Sequence, residues 1–237
     1  MRTDRRELDQ LRTIDCQLDV NVHAEGSCIF SMGNTRVHCT ASVIKEVPRW
    51  RRDTGMGWVT AEYRMLPRAT QTRSYREGRS DMKGRTAEIQ RLIARSLRSV
   101  VDMRALGRRQ VMVDCDVLQA DGGTRTASIS GAYIALVRAL QVLVDAGQLE
   151  ALPLKGGVAA VSVGMVDGAP MLDLAYDEDS RADVDLNVIM THAGGFVEVQ
   201  GTAEGQTFSR EQLNALVDMA AGGITEIAKA QQAILGL

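Results

Sequence analysis

Apolar positions along the chain follow two periods, and the places where the period changes mark its elements. From Gly84, GRTAEIQRLIARSLRSVVDM sets Ile89, Leu92, Ile93, Leu97 and Val100 on one stripe at helical spacing. From Thr124, TRTASISGAYIALVRALQVLVDAG stripes Ile129, Tyr133, Leu136, Val137, Leu140 and Leu143, and Gly147 supplies a stop. A third helix opens at Ser209, a capping residue followed by Glu211 and Gln212 in the first turn, and its Gly222-Gly223 pair permits a bend or a close contact. Between these lie short β-branched runs that predict strands at 28–30, 36–43, 57–63, 110–117, 158–165, 171–174, 185–190 and 196–200. The turn signals MGN and VDG suit hairpins. Strands, helix, strand, helix, then strands and a closing helix read as an α+β fold of two β-α halves. No low-complexity linker or repeat separates the halves, which predicts a single compact domain over residues 1–237.

One segment fits neither period. Residues 64–85, RMLPRATQTRSYREGRSDMKGR, are polar and carry Arg64, Arg68, Arg73, Arg76, Arg79 and Arg85. A structureless stretch of that length in a compact domain is either functional or mobile. The bland reading is a solvated surface loop. The sharper one is a basic arm that follows a nucleic-acid backbone, with Tyr75 available to stack on a base.

Charge distribution favours the sharper reading. The formal net charge is only −2, yet residues 1–109 hold 22 Arg and Lys against 13 Asp and Glu, and residues 110–237 hold 6 against 17. Only Lys45, Lys83, Lys155 and Lys229 are lysine; the other basic residues are arginine, whose planar fork suits phosphate. A GC-rich genome also raises arginine over lysine, but it does not segregate the charges. The four cysteines are widely spaced and the three histidines do not cluster, which predicts reduced, buried thiols and neither a zinc site nor a disulfide framework. No apolar run approaches ~18 residues, and MRTDRRELDQ lacks the apolar segment of a secretory signal. The expectation is a cytoplasmic protein without a membrane partner.

Two stretches carry candidate chemistry. In ADGGTRTASISGAYIAL, Gly122 and Gly123 let backbone N–H groups approach a ligand, and the helix behind them offers unpaired donors and partial positive charge to an anion. Thr124, Thr126 and Ser128 add hydroxyls and Arg125 adds a fork; Arg85 opens the other helix, and convergence of the two starts would make a monophosphate site. A threonine-capped turn explains the same residues more plainly. The Gly-Lys-Ser/Thr pattern of a P-loop is absent. In DLAYDEDSRADVDLNVIM, Asp173, Asp177, Glu178, Asp179, Asp183 and Asp185 crowd together and repel unless a cation or proton joins them. Mg²⁺ or Mn²⁺, shared with substrate phosphate oxygens, fits such a set. So does a carboxyl that protonates a leaving oxygen, or a plain solvated acidic loop.

Four separated motifs, GRTAEIQRLIARSLR, DCDVLQADGGTRTASISGAYIAL, DEDSRADVDLNVIM and EVQGTAEGQTFSREQLNALVDMAAGGI, resemble the bacterial ribonuclease PH family in the same order, nearly end to end. The resemblance implies the ribonuclease PH-type fold, with mixed sheets packed on helices. It implies a phosphate-dependent 3′→5′ exoribonuclease that trims tRNA precursors, with roles in rRNA 3′ processing or decay, and releases nucleoside diphosphates. Inorganic phosphate would be the co-substrate and the assembly a homohexamer, a trimer of dimers. By the matching motifs, Arg85, Gly123, Thr124 and Arg125 would hold phosphate. Asp179 and Asp185 would be the catalytic carboxylates, acting through Mg²⁺ or Mn²⁺ or as a general acid, and Arg68, Arg73 and Arg76 would bind RNA. Two other classes remain: a catalytically silent ring subunit that threads RNA in an exosome-like assembly, and a nucleotide kinase, for which the Gly/Ser-rich ATP loop is missing. The start MRTDRRELDQ departs from the family's MRPDGR type and leaves the path of the N-terminal arm open.

Overall fold

The computed structural model describes residues 2–78, 82–204 and 207–237. Residues 79–81, Arg79 among them, lie outside the described residues. The first half forms a five-stranded sheet from β1 (Ile14–Leu18), β2 (Gly26–Met32), β3 (Thr35–Ile44), β4 (Trp58–Met65) and β5 (Gln110–Gln119), in the order β1-β2-β3-β5-β4. In β3 the period-two pattern buries Val37, Cys39 and Ala41 and turns Arg36 outward. All pairs are antiparallel except β4 and β5, which run parallel. That pair needs a crossover, supplied by helix α1 (Gly84–Val100) and the short α2 (Met103–Leu106). A consequence follows for the site: both chains leave the sheet at the same end. The Leu66 N–H donates to Val117 at 3.0 Å and the Ala120 N–H to Ala69 at 2.8 Å, so the two loops start side by side.

The second half is an antiparallel sheet of β6 (Val158–Val166), β7 (Ala169–Leu172), β8 (Val184–Thr191) and β9 (Phe196–Ala203), ordered β7-β6-β8-β9. A four-residue helix, α4 (Tyr176–Asp179), precedes β8, and α5 (Arg210–Leu235) packs on β6, β7 and β8. Ser209 caps α5 through a reciprocal pair with Gln212, at 3.2 Å and 2.8 Å. The helix passes through Gly222-Gly223 without a break. A Cβ at Gly223 would lie 2.8 Å from Leu172, so the glycine serves close packing.

Helix α3 (Thr124–Asp145) lies between the sheets, against β2, β3 and β5 on one side and β6 on the other. The stripe of large residues accounts for one face. A second face of small residues, Ala127, Gly131, Ala135 and Ala139, is buried as well. These let β2 come close: a Cβ on Gly26 would fall 2.1 Å from the Ala135 carbonyl oxygen. Alone among the described helices, α3 has the length and apolarity of a membrane span, and 78% of that apolar stretch is buried inside the protein. Leu136 and Leu140 are fully buried, and trimming either to alanine would cost about 2–5 kcal/mol.

The basic N-terminal arm crosses to the second half. Arg2 forms a bidentate pair with Glu178 at 2.7 and 2.8 Å, and Arg12 holds Asp173 at 2.7 and 3.0 Å, all four side chains nearly inaccessible. Arg6 adds weaker contacts to both carboxylates, at 3.8 Å to Asp173 and 3.7 Å to Glu178.

Candidate active site

The strand β5 ends in the turn 120–123, where Gly122 and Gly123 both adopt left-handed backbone, φ 73° and 61°. A Cβ on Gly122 would sit 2.4 Å from the Leu174 carbonyl oxygen, so only glycine fits there. Thr35 holds the turn, accepting from the Asp121 N–H at 2.9 Å and donating to the Gly122 carbonyl at 2.7 Å; Arg12 also donates to the Asp121 carbonyl. Gly123 is the N-cap of α3 and carries no side chain to cap it. In contrast to the capped α5, the first N–H groups of α3 have no side-chain acceptor among the described residues. A threonine cap is therefore not what Thr124 provides: its hydroxyl is 2.9 Å from the phenol of Tyr63, a buried β4 residue.

This helix start opens into a cavity of about 1160 Å³. Its walls include Arg85 from the first turn of α1, Gly123, Thr124 and Arg125 from α3, Asp179 from α4, Asp185 from β8, and Arg68 from the loop after β4. Seven of the residues marked by their sequence motifs thus meet in one place. Arg73 and Arg76 do not; they stand exposed farther along the loop. Arg68 also donates to the Gln71 carbonyl at 2.6 Å, which folds the loop back at the cavity rim.

Arg125 is mostly covered, and its Nη1 donates to Gln200 Oε1 at 2.6 Å and to Glu88 Oε1 at 3.2 Å. Gln200 donates in turn to Glu88 at 3.3 Å. Glu88 is on α1 and Gln200 on β9, so both halves of the molecule aim this guanidinium. Arg85 makes no hydrogen bond within the described residues and is exposed to the cavity. Sequence reasoning missed Glu88, Gln200, Tyr63 and Arg12. Gln200 stood inside the EVQGT motif, a signal that position but not spacing supplied.

Six clustered carboxylates separate into distinct kinds. Asp173 and Glu178 are neutralised by Arg12 and Arg2. Burial alone would raise the Glu178 carboxyl, but hydrogen bonds from Arg2 and the Ala175 N–H hold it below the ordinary value. Asp183 precedes β8 and is exposed outside the cavity; Asp177 is exposed at its mouth. Asp179 and Asp185 face the cavity and accept no hydrogen bond from the described residues. Burial raises Asp179, against the pull of Arg85, Arg125 and Arg12. Burial raises Asp185 further, the Asp179 charge adds to it, and the carboxyl reaches about 6 despite Arg125 and Arg85. Among the described residues no cluster of three or more His, Cys, Asp or Glu side chains could hold a metal alone. Two carboxylates that lack protein partners suit a hard cation that completes its shell with water and phosphate oxygens.

Fold and cavity together define a class: an α+β chain that sets two arginines and an uncapped helix start against a carboxylate pair. The chain belongs to the 3′ exoribonuclease (RNase PH) family, whose domain 1 matches residues 10–140 and domain 2 residues 156–223. The fold is similar to that of rice (Oryza sativa) Rrp46, with a TM-score of 0.79 at 19% identity, covering 99% of this chain and 100% of that one. It is also similar to a chain of the Archaeoglobus fulgidus exosome with RNA bound to the active site, with a TM-score of 0.82 at 22% identity, covering 97% and 92%. At these identities the likeness concerns the fold.

Proposed function

We propose that this protein is a phosphate-dependent 3′→5′ exoribonuclease of the bacterial ribonuclease PH type, trimming tRNA precursors and other RNA 3′ ends. The observation that carries the proposal is the convergence of Arg85, Thr124 and Arg125 with Asp179 and Asp185 in one cavity. Inorganic phosphate held by the two guanidinium groups and the open N–H groups of α3 would lie next to the last phosphodiester. A phosphate oxygen bonds to that phosphorus while the bond to the upstream 3′-oxygen breaks. The terminal nucleotide leaves as a 5′-diphosphate and the RNA keeps a 3′-hydroxyl. Two anions must approach, so charge neutralisation and positioning supply most of the rate.

Asp179 and Asp185 would hold Mg²⁺ or Mn²⁺, whose charge would offset that of the meeting phosphates. Without metal, the raised Asp185 carboxyl retains a proton near pH 6 and could give it to the leaving 3′-oxygen. Arg68, Arg73 and Arg76 would grip upstream phosphates with little sequence preference. A ring of six subunits, a trimer of dimers, would multiply those weak contacts by effective concentration.

A second reading is a ring subunit that threads RNA without cutting it. The similarity to Rrp46 and to an exosome chain favours it. Incubation with a 3′-extended tRNA and Mg²⁺, with and without inorganic phosphate, separates the two. Nucleoside diphosphates released only with phosphate support phosphorolysis. Monophosphates without phosphate mean hydrolysis and remove the phosphate site from the account. Bound but intact RNA in both tubes favours threading.

A further inference from the structure

At the opposite end of β4 from the cavity, a 3-10 helix (Arg49–Thr54) carries the sequence RWRRDT. Trp50 is 63% exposed, yet its ring has packed neighbours. Its ring meets Trp58 edge to face at 4.8 Å, and the Arg51 guanidinium lies 5.6 Å from Trp50 and 5.2 Å from Trp58. Arg98 covers Trp58 at 4.5 Å and is tied to the Val59 carbonyl. A lone exposed tryptophan needs no explanation; one packed against a second indole and a guanidinium does. Arg49 and Arg52 flank it, and Arg52 shares a small cavity of about 370 Å³ with Lys45 and Arg108. Glu46 and Asp53 offset part of this charge, Glu46 by pairing with Arg52 at 3.3 Å.

We propose that Trp50 and its surrounding arginines form a second RNA contact, in which the indole stacks on an unpaired base and Arg49 and Arg52 hold the adjoining phosphates. The proposal rests on the reading of the protein as an RNA-processing enzyme. Two features select RNA over a protein partner. Residues 44–57 expose only Ile44 and Trp50 as large apolar side chains, too little for the core of a protein interface. An open aromatic face among arginines is what a single-stranded nucleic acid requires. The contact is remote from the chemistry: Trp58 and Met65 bound β4, seven residues apart, or about 23 Å at the rise of a strand. A short RNA end in the cavity would therefore not reach it, whereas a folded RNA with a 3′ extension would.

The chain has two tryptophans, so Trp58→Phe leaves Trp50 as the sole indole emitter. That protein is titrated with a tRNA bearing a single-stranded 3′ extension and, separately, with a five-nucleotide RNA. Trp50 emission should be quenched by the long RNA alone. Trp50→Ala should raise the Kd for the long RNA about tenfold relative to that for the short one, and Trp50→Tyr should restore most of it. Equal quenching by both RNAs, or an unchanged ratio in Trp50→Ala, overturns the proposal. A change in the assembly's mass on Trp50→Ala does too, since it would assign the patch to contact between copies. Quenching by the long RNA with no phosphorolysis of either supports the contact while removing the enzymatic reading.

Discussion

Replacing Asp185 with asparagine should make the protein more stable at alkaline pH. Burial first, and then the Asp179 charge, lift the Asp185 carboxyl from 3.8 to about 6, with Arg125 and Arg85 pulling it only part of the way back. A carboxyl whose pKa is higher folded than unfolded binds its proton more tightly in the folded state. Its contribution therefore favours folding below pH ~3.8 and is lost as pH rises through about 6. The full gap corresponds to about 3 kcal/mol. Water in the open cavity screens the pair, which reduces the expected effect to roughly 1.5 kcal/mol. For a chain of this size that is about 3–6 °C in Tm. Differential scanning calorimetry in metal-free buffer, at one protein concentration, should show Asp185→Asn melting above wild type at about pH 8, with the gap narrowing by about pH 4.5. Added Mg²⁺ should narrow the gap at about pH 8 by stabilising the wild type alone. A variant that melts at or below wild type at about pH 8, or a gap that ignores pH, refutes the reasoning.

Other expectations follow from the same geometry. Arg12→Ala leaves the buried Asp173 with only the residue 12 backbone N–H and the weaker Arg6 contact, and should cost about 3–5 kcal/mol in urea unfolding; a loss within error would show that the pair is replaceable. Arg125→Ala should abolish phosphorolysis with circular dichroism unchanged, and normal activity at saturating phosphate would remove Arg125 from the site. Gln200→Ala, which leaves Glu88 alone to aim the Arg125 fork, should raise the phosphate KM severalfold, about 1 kcal/mol, with a smaller effect on kcat. Neutralising Arg68, Arg73 and Arg76 together should lower the slope of log K against log salt by about 2 for single-stranded RNA, and an unchanged slope excludes the loop.

The fold was legible wherever one period dominated. The stripe on α1 and the capping serine of α5 led directly to the observed helices. β1 escaped because Ile14, Cys16 and Leu18 alternate over only five residues at a sheet edge, where half-buried positions give a weak pattern. The large-residue stripe of α3 predicts a helix with one buried face. Its second buried face is built from alanine and glycine, residues whose periodicity carries little hydrophobic signal although they bring β2 within contact.

The site shows a sharper division. Glycines 122 and 123 announced a backbone conformation, and the structure places both in the left-handed region. The acidic run announced only its own charge. Which two of its six carboxylates are neutralised is decided by Arg2 and Arg12, more than 160 residues away in sequence. Those arginines are deeply buried and bound bidentately to Glu178 and Asp173, so each carboxylate they hold is committed to the fold. The arm that departs from the family pattern at its start thus still fixes the segment carrying Asp179. It neutralises the charges beneath the site and leaves the pair inside the cavity in need of a cation, a proton or a substrate.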